Sequence, residues 1–504
     1  MATSDFYTQK NSIPGLIDEL HKTFKTGLTK DLAFRKQQLR SLIRCMQENQ
    51  EQIIDALHRD LHKHRLESNI GEISAVIEDA LYMIKNVDRF SKPKYTKKRF
   101  QMNALDKTYI RKEPKGVVAV LGAWNYPINL LLLPVVGAIA AGCCVAIKPS
   151  EVSVHTAELL GRILPKYLDQ RAYVVINGGV DETTILLDQR LDHIFYTGNG
   201  RVGRIVMTAA TKHLASVTLE LGGKSPAVVT PDADINITAN RLIWGKFFNA
   251  GQTCVAPDYV LVSSGQVERL IVALRKVVRQ YYGSDPQKSA SYGRIVNTRQ
   301  FDRLKNLLDA YDKKSIVVGG ETDRDDLYIA PTIVSPVDPD DPNLMGEEIF
   351  GPILPIVPVK DMDAALQVIN SRDYPLALYV FAGSEKSYNY ILNNTNSGGA
   401  LVNDTLMHLQ ELSLPFGGIG PSGQGSYHGE KSFDTFTHER STMVKSTRFE
   451  SVLTARYPPY NDDKGLVLNM LTFPMPNGFG AKIKYVLRAC AASFRVLFGK
   501  EPTA

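Results

Sequence analysis

Cys254 stands in Phe248-Asn249-Ala250-Gly251-Gln252-Thr253-Cys254, thirty-four residues beyond Glu220 in Leu219-Glu220-Leu221-Gly222-Gly223-Lys224-Ser225. A thiol and a carboxylate can divide one reaction between them. The thiolate adds to a carbonyl carbon, and the carboxylate activates the water that later frees the acyl group. A lone cysteine is more often an inert buried side chain, and a glutamate between two leucines is more often a surface or ion-paired residue. Here the small and polar neighbours Asn249, Gly251, Gln252 and Thr253 suit an approachable loop, and Gly222-Gly223 after Glu220 permits tight backbone geometry. A thiol of ordinary acidity is mostly protonated at neutral pH, so a working thiolate needs help from a helix N-terminus or a cation.

Four further segments carry groups of interest. Gly122-Ala123-Trp124-Asn125-Tyr126-Pro127 follows an apolar run at 117–121, and the amide of Asn125 can donate to an oxyanion without giving up a proton. Asn125 and Pro127 also serve as ordinary turn residues, which does not compete with that role. Lys148-Pro149-Ser150-Glu151 closes the next apolar run. Tyr196-Thr197-Gly198-Asn199-Gly200-Arg201-Val202-Gly203 joins a strand to a helix, and its glycines at 198, 200 and 203 are a weak signal by themselves. Glu347-Glu348-Ile349-Phe350 is, by itself, a solvated acidic pair. Gly223-Lys224-Ser225 invites a P-loop reading, but that motif needs glycine at 218, where Thr218 stands, so an ATPase is disfavoured.

The elements that must position these groups alternate. Leu39, Leu42, Ile43 and Met46, then Ile54, Leu57 and Leu61, mark amphipathic helices near the N-terminus. Short apolar strands at 117–121, 145–147, 173–176 and 194–196 are separated by helical stretches, the pattern of a parallel sheet with crossover helices. A second α/β block has strands near 227–230, 259–262, 316–318 and 354–357. Residues 92–115 are basic and alternating, as in an exposed strand arm. The uncharged run at 128–147 is long enough to span a bilayer, but Pro134, Gly137 and Gly142 interrupt it, and a buried helix followed by a buried strand is expected.

Composition narrows the class. The 504 residues are 22% charged and 44% hydrophobic, enough for a large core in more than one domain. Five cysteines without CxxC or Cys/His spacing give no disulfide framework and no metal site, and point to a reducing, cytoplasmic setting. The N-terminus shows no apolar signal core. Of the formal charge of +6, seven basic less three acidic residues from 451 onward contribute +4, which argues against a nucleic-acid-binding body. From 481 a helix would set Ile483, Val486, Leu487, Cys490, Phe494 and Leu497 against Lys484, Arg488 and Arg495. Such a basic amphipathic helix suits peripheral contact with an anionic membrane through 481–498, or a cap on a partner subunit's substrate channel.

Taken in order and spacing over residues 15–460, these motifs closely resemble the NAD(P)-dependent aldehyde dehydrogenase superfamily. The class 3-like (fatty aldehyde dehydrogenase-like) branch fits best, on Ser426-Tyr427-His428-Gly429, Ser432-Phe433-Asp434-Thr435-Phe436 and Arg456-Tyr457-Pro458-Pro459. The resemblance implies an α/β fold with a Rossmann-type cofactor domain (1–91 and 116–220), an α/β catalytic domain (221–434), a small β oligomerisation arm (92–115 and 435–448) and an extension (449–504). It implies Cys254 as nucleophile, Glu220 as the base that hydrolyses the thioester, and Asn125 as oxyanion donor. Cofactor contacts are implied at Trp124, Lys148, Glu151, Gly198, Gly203, Glu348 and Phe350. Glu151 leans the cofactor towards NAD, with NADP as the alternative. The substrate implied is a medium- to long-chain or aromatic aldehyde, and the assembly a homodimer. The competing class is a cysteine hydrolase or acyltransferase pairing Cys254 with a histidine such as His428.

Overall fold

The computed structural model describes residues 6–99, 103, 106–447 and 450–498. They fall into two compact units: Met1–Phe90 with Pro114–Thr437, and Ser91–Glu113 with His438–Ala504.

The first unit holds two large sheets, besides the two-stranded pairing of Thr322–Asp323 with Tyr328–Ile329. Five parallel strands lie in the order Ser216–Glu220, His193–Thr197, Val117–Leu121, Cys144–Lys148, Tyr173–Val175. By chain order this is 5-4-1-2-3, so direction reverses between Val117–Leu121 and His193–Thr197, opening a crevice at their carboxyl ends. The antiparallel edge strand Gly423–Gln424 returns from far along the chain to pair with Ser216–Glu220. Only glycine fits at 423: its φ is +152°, and a Cβ would lie 2.4 Å from the Leu219 carbonyl. Helices Ile13–Thr26, Leu32–Glu48 and Ser74–Phe90 pack their apolar faces into the core beside this sheet.

The second sheet runs Ile316–Val318, Thr332–Val334, Ile353–Val359, Tyr259–Ser263, Pro226–Val229, Ala377–Phe381, Gly399–Val402. All its neighbours are parallel except Ile316–Val318. Its central strands are buried on both faces, and accordingly read as unbroken apolar runs.

The uncharged run at 128–147 folds as expected, into helix Asn129–Ala141 and strand Cys144–Lys148, both enclosed by protein. Gly142 ends the helix at φ +92°, leaving room for the Arg35 guanidinium, which a Cβ would meet at 2.6 Å. Arg35 Nη1 then donates to the Ala140 carbonyl, one of the orphan acceptors of the helix end.

In the second unit, Lys94–Tyr95, Lys107–Pro114 and Thr437–Val444 form a three-stranded sheet, and helices Asp462–Thr472 and Phe479–Phe498 pair with each other. Their shared core is small: Ala455, Val467 and Ala492. The last helix buries Ala489 and Ala492 and leaves Phe479, Ile483, Leu487, Phe494, Leu497 and Phe498 exposed. Parts of the sequence-level arm (100–102, 104–105, 448) and the chain end (499–504) lie outside the described residues.

Candidate active site

Cys254 follows a turn that almost no sequence adopts without support. Asn249 (φ +52°), Ala250 (φ +52°) and Gly251 (φ +73°) are three consecutive left-handed residues, a conformation costing roughly 1 kcal/mol or more at each non-glycine position. Gly251 is obligatory, because a Cβ there would sit 2.3 Å from the Gly351 carbonyl.

Hydrogen bonds hold the turn. Asn249 Nδ2 donates to the Asn125 carbonyl at 2.9 Å and the Gln252 carbonyl at 3.1 Å. Gln252 Nε2 donates to the Arg294 carbonyl at 2.9 Å, and its Oε1 accepts from Val296 N–H at 3.0 Å. Tyr126 Oη meets Thr253 Oγ1 at 2.8 Å, and Tyr379 Oη donates to the Val255 carbonyl at 2.5 Å. Behind them, the fully buried Lys63–Glu72 ion pair ties three pieces together. Lys63 donates to the Asn125 carbonyl at 2.8 Å, while Glu72 accepts from Ile128 N–H and Asn129 N–H at 3.1 and 2.9 Å, capping helix Asn129–Ala141.

The crevice at the strand reversal gathers most of the other sequence candidates. Gly122 N–H bonds the Lys148 carbonyl, and Gly198 N–H the Glu220 carbonyl, each at 3.0 Å. Asn125, from the first loop, donates its Nδ2 to the Gln252 carbonyl at 3.0 Å, which links the cofactor-side sheet to the thiol loop. One of its two amide N–H groups is thereby used and one remains.

Glu220 ends its strand fully enclosed, and both carboxylate oxygens lack a hydrogen-bond partner. Burial pushes its acidity constant well above the usual carboxylate range. Cys254 is partly exposed, and its thiol is pushed up by burial and by the facing Glu348 and Glu220, with its own N–H and that of Val255 pulling the other way. The resting side chain is a thiol. No histidine bonds its sulfur among the described residues, and burial holds His428 down at about 3 and His408 at about 4, both neutral at physiological pH. The pairing a cysteine hydrolase would need is not formed.

The crevice also carries the groups that the sequence singled out for a dinucleotide. Helix Gly200–Thr211 points its N-terminus there, capped by Asn199 Oδ1 accepting from Val202 N–H at 3.0 Å. Gly203 lets this helix approach the sheet, a Cβ there meeting Leu221 at 3.0 Å. Lys148 Nζ lies 2.7 Å from Glu151 Oε2. Thr197 Oγ1 is buried without a partner. Glu348 lies against Gly222, where any Cβ would be 2.1 Å from its Oε2. The Trp124 and Phe350 rings meet edge-on at 5.4 Å.

Cys254 also lines an apolar pocket walled by Tyr126, Leu130, Trp244, Phe248, Leu406 and Phe416, with Tyr427 and His428 beside them. Of this wall, the sequence reading held Tyr126 and Phe248 inside motifs, Tyr427 and His428 in the branch-typical stretch, and Phe416 in the segment 414–418 that resembles the family's substrate side. It did not single out Leu130, Trp244 or Leu406.

The chain matches known proteins along most of its length. The model of the aldehyde dehydrogenase family matches residues 8–442. Aldehyde dehydrogenase family 3 member A2 of Rattus norvegicus is 46% identical over 89% of this chain and 92% of its own length. The dimeric NADP-preferring aldehyde dehydrogenase of the same species is 48% identical over 89% and 98%. The substrate-bound Staphylococcus aureus AldH superposes with a TM-score of 0.86 at 40% identity, covering 94% of this chain and 98% of that one. With a match of that length and relatives nearly half identical along most of the sequence, the chain belongs to the aldehyde dehydrogenase family.

Proposed function

We propose that the protein oxidises medium- to long-chain aliphatic or aromatic aldehydes to carboxylic acids, with NAD or NADP as hydride acceptor and Cys254 as nucleophile. The observation that carries the substrate class is the apolar pocket that Cys254 lines, whose aromatic and leucine wall favours a hydrocarbon chain over a charged one.

Cys254 Sγ adds to the aldehyde carbon as its proton passes to the facing Glu220, which gives that proton to solvent before the hydrolytic step. The Cys254 backbone N–H and the remaining Asn125 N–H are the donors suited to the adduct oxygen. The chemistry supplied by bound NAD(P)+ is acceptance of hydride, with Trp124, Lys148, Glu151, Gly198, Gly203, Glu348 and Phe350 as the residues that would hold it. Glu220, free of competing hydrogen bonds, then takes a proton from water as the water oxygen bonds the thioester carbon. The C–S bond breaks, the acid leaves, and the sulfur is restored. Pairing of Glu151 with Lys148 offsets part of the charge that would repel a 2′-phosphate, so both dinucleotides fit this reading.

Two assembly features belong to the same proposal. The three-stranded sheet serves as a homodimer arm, a state named for one relative at 48% identity. The protein works in the cytoplasm, in peripheral contact with a membrane through 481–498. Support comes from the exposed Phe479, Leu487, Phe494 and Phe498 beside Lys482, Lys484 and Arg488. Among the described residues no helix is long and apolar enough to cross a membrane.

The test is formation of reduced nucleotide with hexadecanal, benzaldehyde and propanal, each with NAD+ and NADP+. A higher kcat/KM for hexadecanal or benzaldehyde than for propanal is expected. Equal values for all three would reject the substrate class, and absence of nucleotide reduction would reject the reaction.

A further inference from the structure

Residues 347–351 carry Glu348 and Phe350, two of the groups read as cofactor contacts, yet they lie in neither helix nor strand. Phe350 stands at φ +51°, a left-handed backbone that bulky side chains avoid. Gly351 beside it is wedged. A Cβ there would lie 2.5 Å from Leu304 Cδ2, and its carbonyl is the atom that leaves no room for a side chain at Gly251 of the thiol turn. Something outside the segment must hold it in this shape.

Side chains from three other places grip its backbone. Lys224 Nζ donates to the Glu347 carbonyl at 3.1 Å, and Asp258 Oδ1 accepts from Ile349 N–H at 3.1 Å. Arg303 Nη2 donates to the Ile349 carbonyl at 2.6 Å and is itself steadied by Nε donating to Gln300 Oε1 at 2.9 Å. Both backbone groups of Ile349 are therefore taken. One belongs to the peptide shared with Glu348, the other to the peptide shared with Phe350.

Asp258 joins the grips together. It is buried, its Oδ2 accepts from Lys224 Nζ at 2.6 Å, and Lys246 Nζ lies 3.8 Å from its Oδ1. Strand register explains the meeting with Lys224. Pro226 pairs with Tyr259 in adjacent parallel strands, so the residues just ahead of them arrive at the same end of the sheet, and Asp258 N–H donates to the Ser225 carbonyl at 2.8 Å. Two donors, Ile349 N–H and the Lys224 ammonium, converge on this side chain and neither can accept, so a carboxylate suits the place. An asparagine would have to turn its NH2 towards one of them.

We propose that Asp258 and Arg303 are positioning residues for the dinucleotide, which fix the two peptides of Ile349 and so the backbone from which Glu348 and Phe350 project. The inference rests on the reading of those two as cofactor contacts. It assigns Asp258 and Arg303 no contact with substrate or cofactor.

Calorimetric titration of NAD+ into the full chain, below the Tm of every variant, tests this in wild type, Asp258→Asn and Arg303→Met, and in both again on a Glu348→Gln, Phe350→Gly background. Each single variant should weaken NAD+ by about ten- to a hundredfold, the worth of a hydrogen bond to a charged group. On the double-substituted background nothing is left to position, so either change should cost less than about twofold more. An unchanged affinity in the single variants, or a full further loss on that background, would overturn the proposal and leave both residues as parts of the fold alone. Should Asp258→Asn fail to fold, Arg303→Met carries the same comparison from a half-buried side chain, with the same outcomes for and against. A Glu348→Gln, Phe350→Gly chain that binds NAD+ as tightly as wild type would instead remove the reading beneath the proposal, and the proposal with it.

Discussion

A carboxylate with two buried, unpartnered oxygens is expensive unless something arrives to use them, and Glu220 is such a group. The reacting water is the natural partner, and the raised acidity constant makes the side chain a stronger base once ionised. Glu220→Gln is therefore expected to give one burst of reduced nucleotide per site and then stall with acyl on Cys254. Steady turnover should fall about 10²- to 10⁴-fold, the usual contribution of a general base. Rapid-quench mass spectrometry of the trapped acyl-enzyme checks this; unimpaired turnover would sink the assignment. Because burial raises the Glu220 constant, the ionised fraction grows with pH, so thioester hydrolysis in the wild type should accelerate with pH and that dependence should vanish in the Gln variant. These residue identities were readable in the chain because the thiol and carboxylate motifs are local strings. The lack of partners for Glu220 was not, since it follows from what the fold encloses.

At the scale of elements, the thiol is presented by a turn that its own sequence disfavours and its neighbours impose. Gly251→Ala adds a Cβ against the Gly351 carbonyl at φ +73°, so alkylation of Cys254 by iodoacetamide should change rate several-fold and kcat should fall more than KM. Equal alkylation and kcat would show that the turn tolerates the side chain. Lys63→Met strips the buried Glu72 of its counter-ion, a change that costs about 3–5 kcal/mol where a buried pair is broken; chemical denaturation measures it, and a loss under 1 kcal/mol would show that the pair is dispensable. Two buried histidines add a pH dependence. His428 and His408 sit at about 3 and about 4 in the fold, below their ordinary 6.5. Between those values the unfolded chain binds protons that the native one refuses, so stability should fall as pH drops from 6.5 towards 4. Melting curves of wild type and His428→Phe should diverge in that window, the variant being flatter. The alternating strands were clear from sequence because buried parallel strands are short apolar runs. The edge strand Gly423–Gln424 was not, because two residues carry no periodicity and its pairing is decided by distant Glu220.

For the whole molecule, the two units pose separate questions. The first carries both large sheets and every candidate site residue; the second carries the three-stranded sheet and the paired helices with their bulky exposed face. Deleting 461–504 is expected to abolish flotation with anionic vesicles while leaving nucleotide binding within about twofold; equal flotation of both forms would reject the membrane reading. The sequence predicted one basic amphipathic helix, and the structure adds that Ala492 packs with Val467 of Asp462–Thr472 while Phe479, Phe494 and Phe498 stay outside. The sequence alone determined the chemistry on offer, since a nucleophile motif, a base and a nucleotide turn are each contiguous and need only local context. It also determined the α/β class, through apolar runs whose lengths suit buried strands. Only tertiary structure decided what walls the sulfur, because the pocket joins Trp244 and Phe248 to Leu406 and Phe416 from across the fold. It likewise decided the electrostatics, since the charge state of Glu220, Glu348 and Lys246 depends on enclosure and on neighbours no linear spacing reveals.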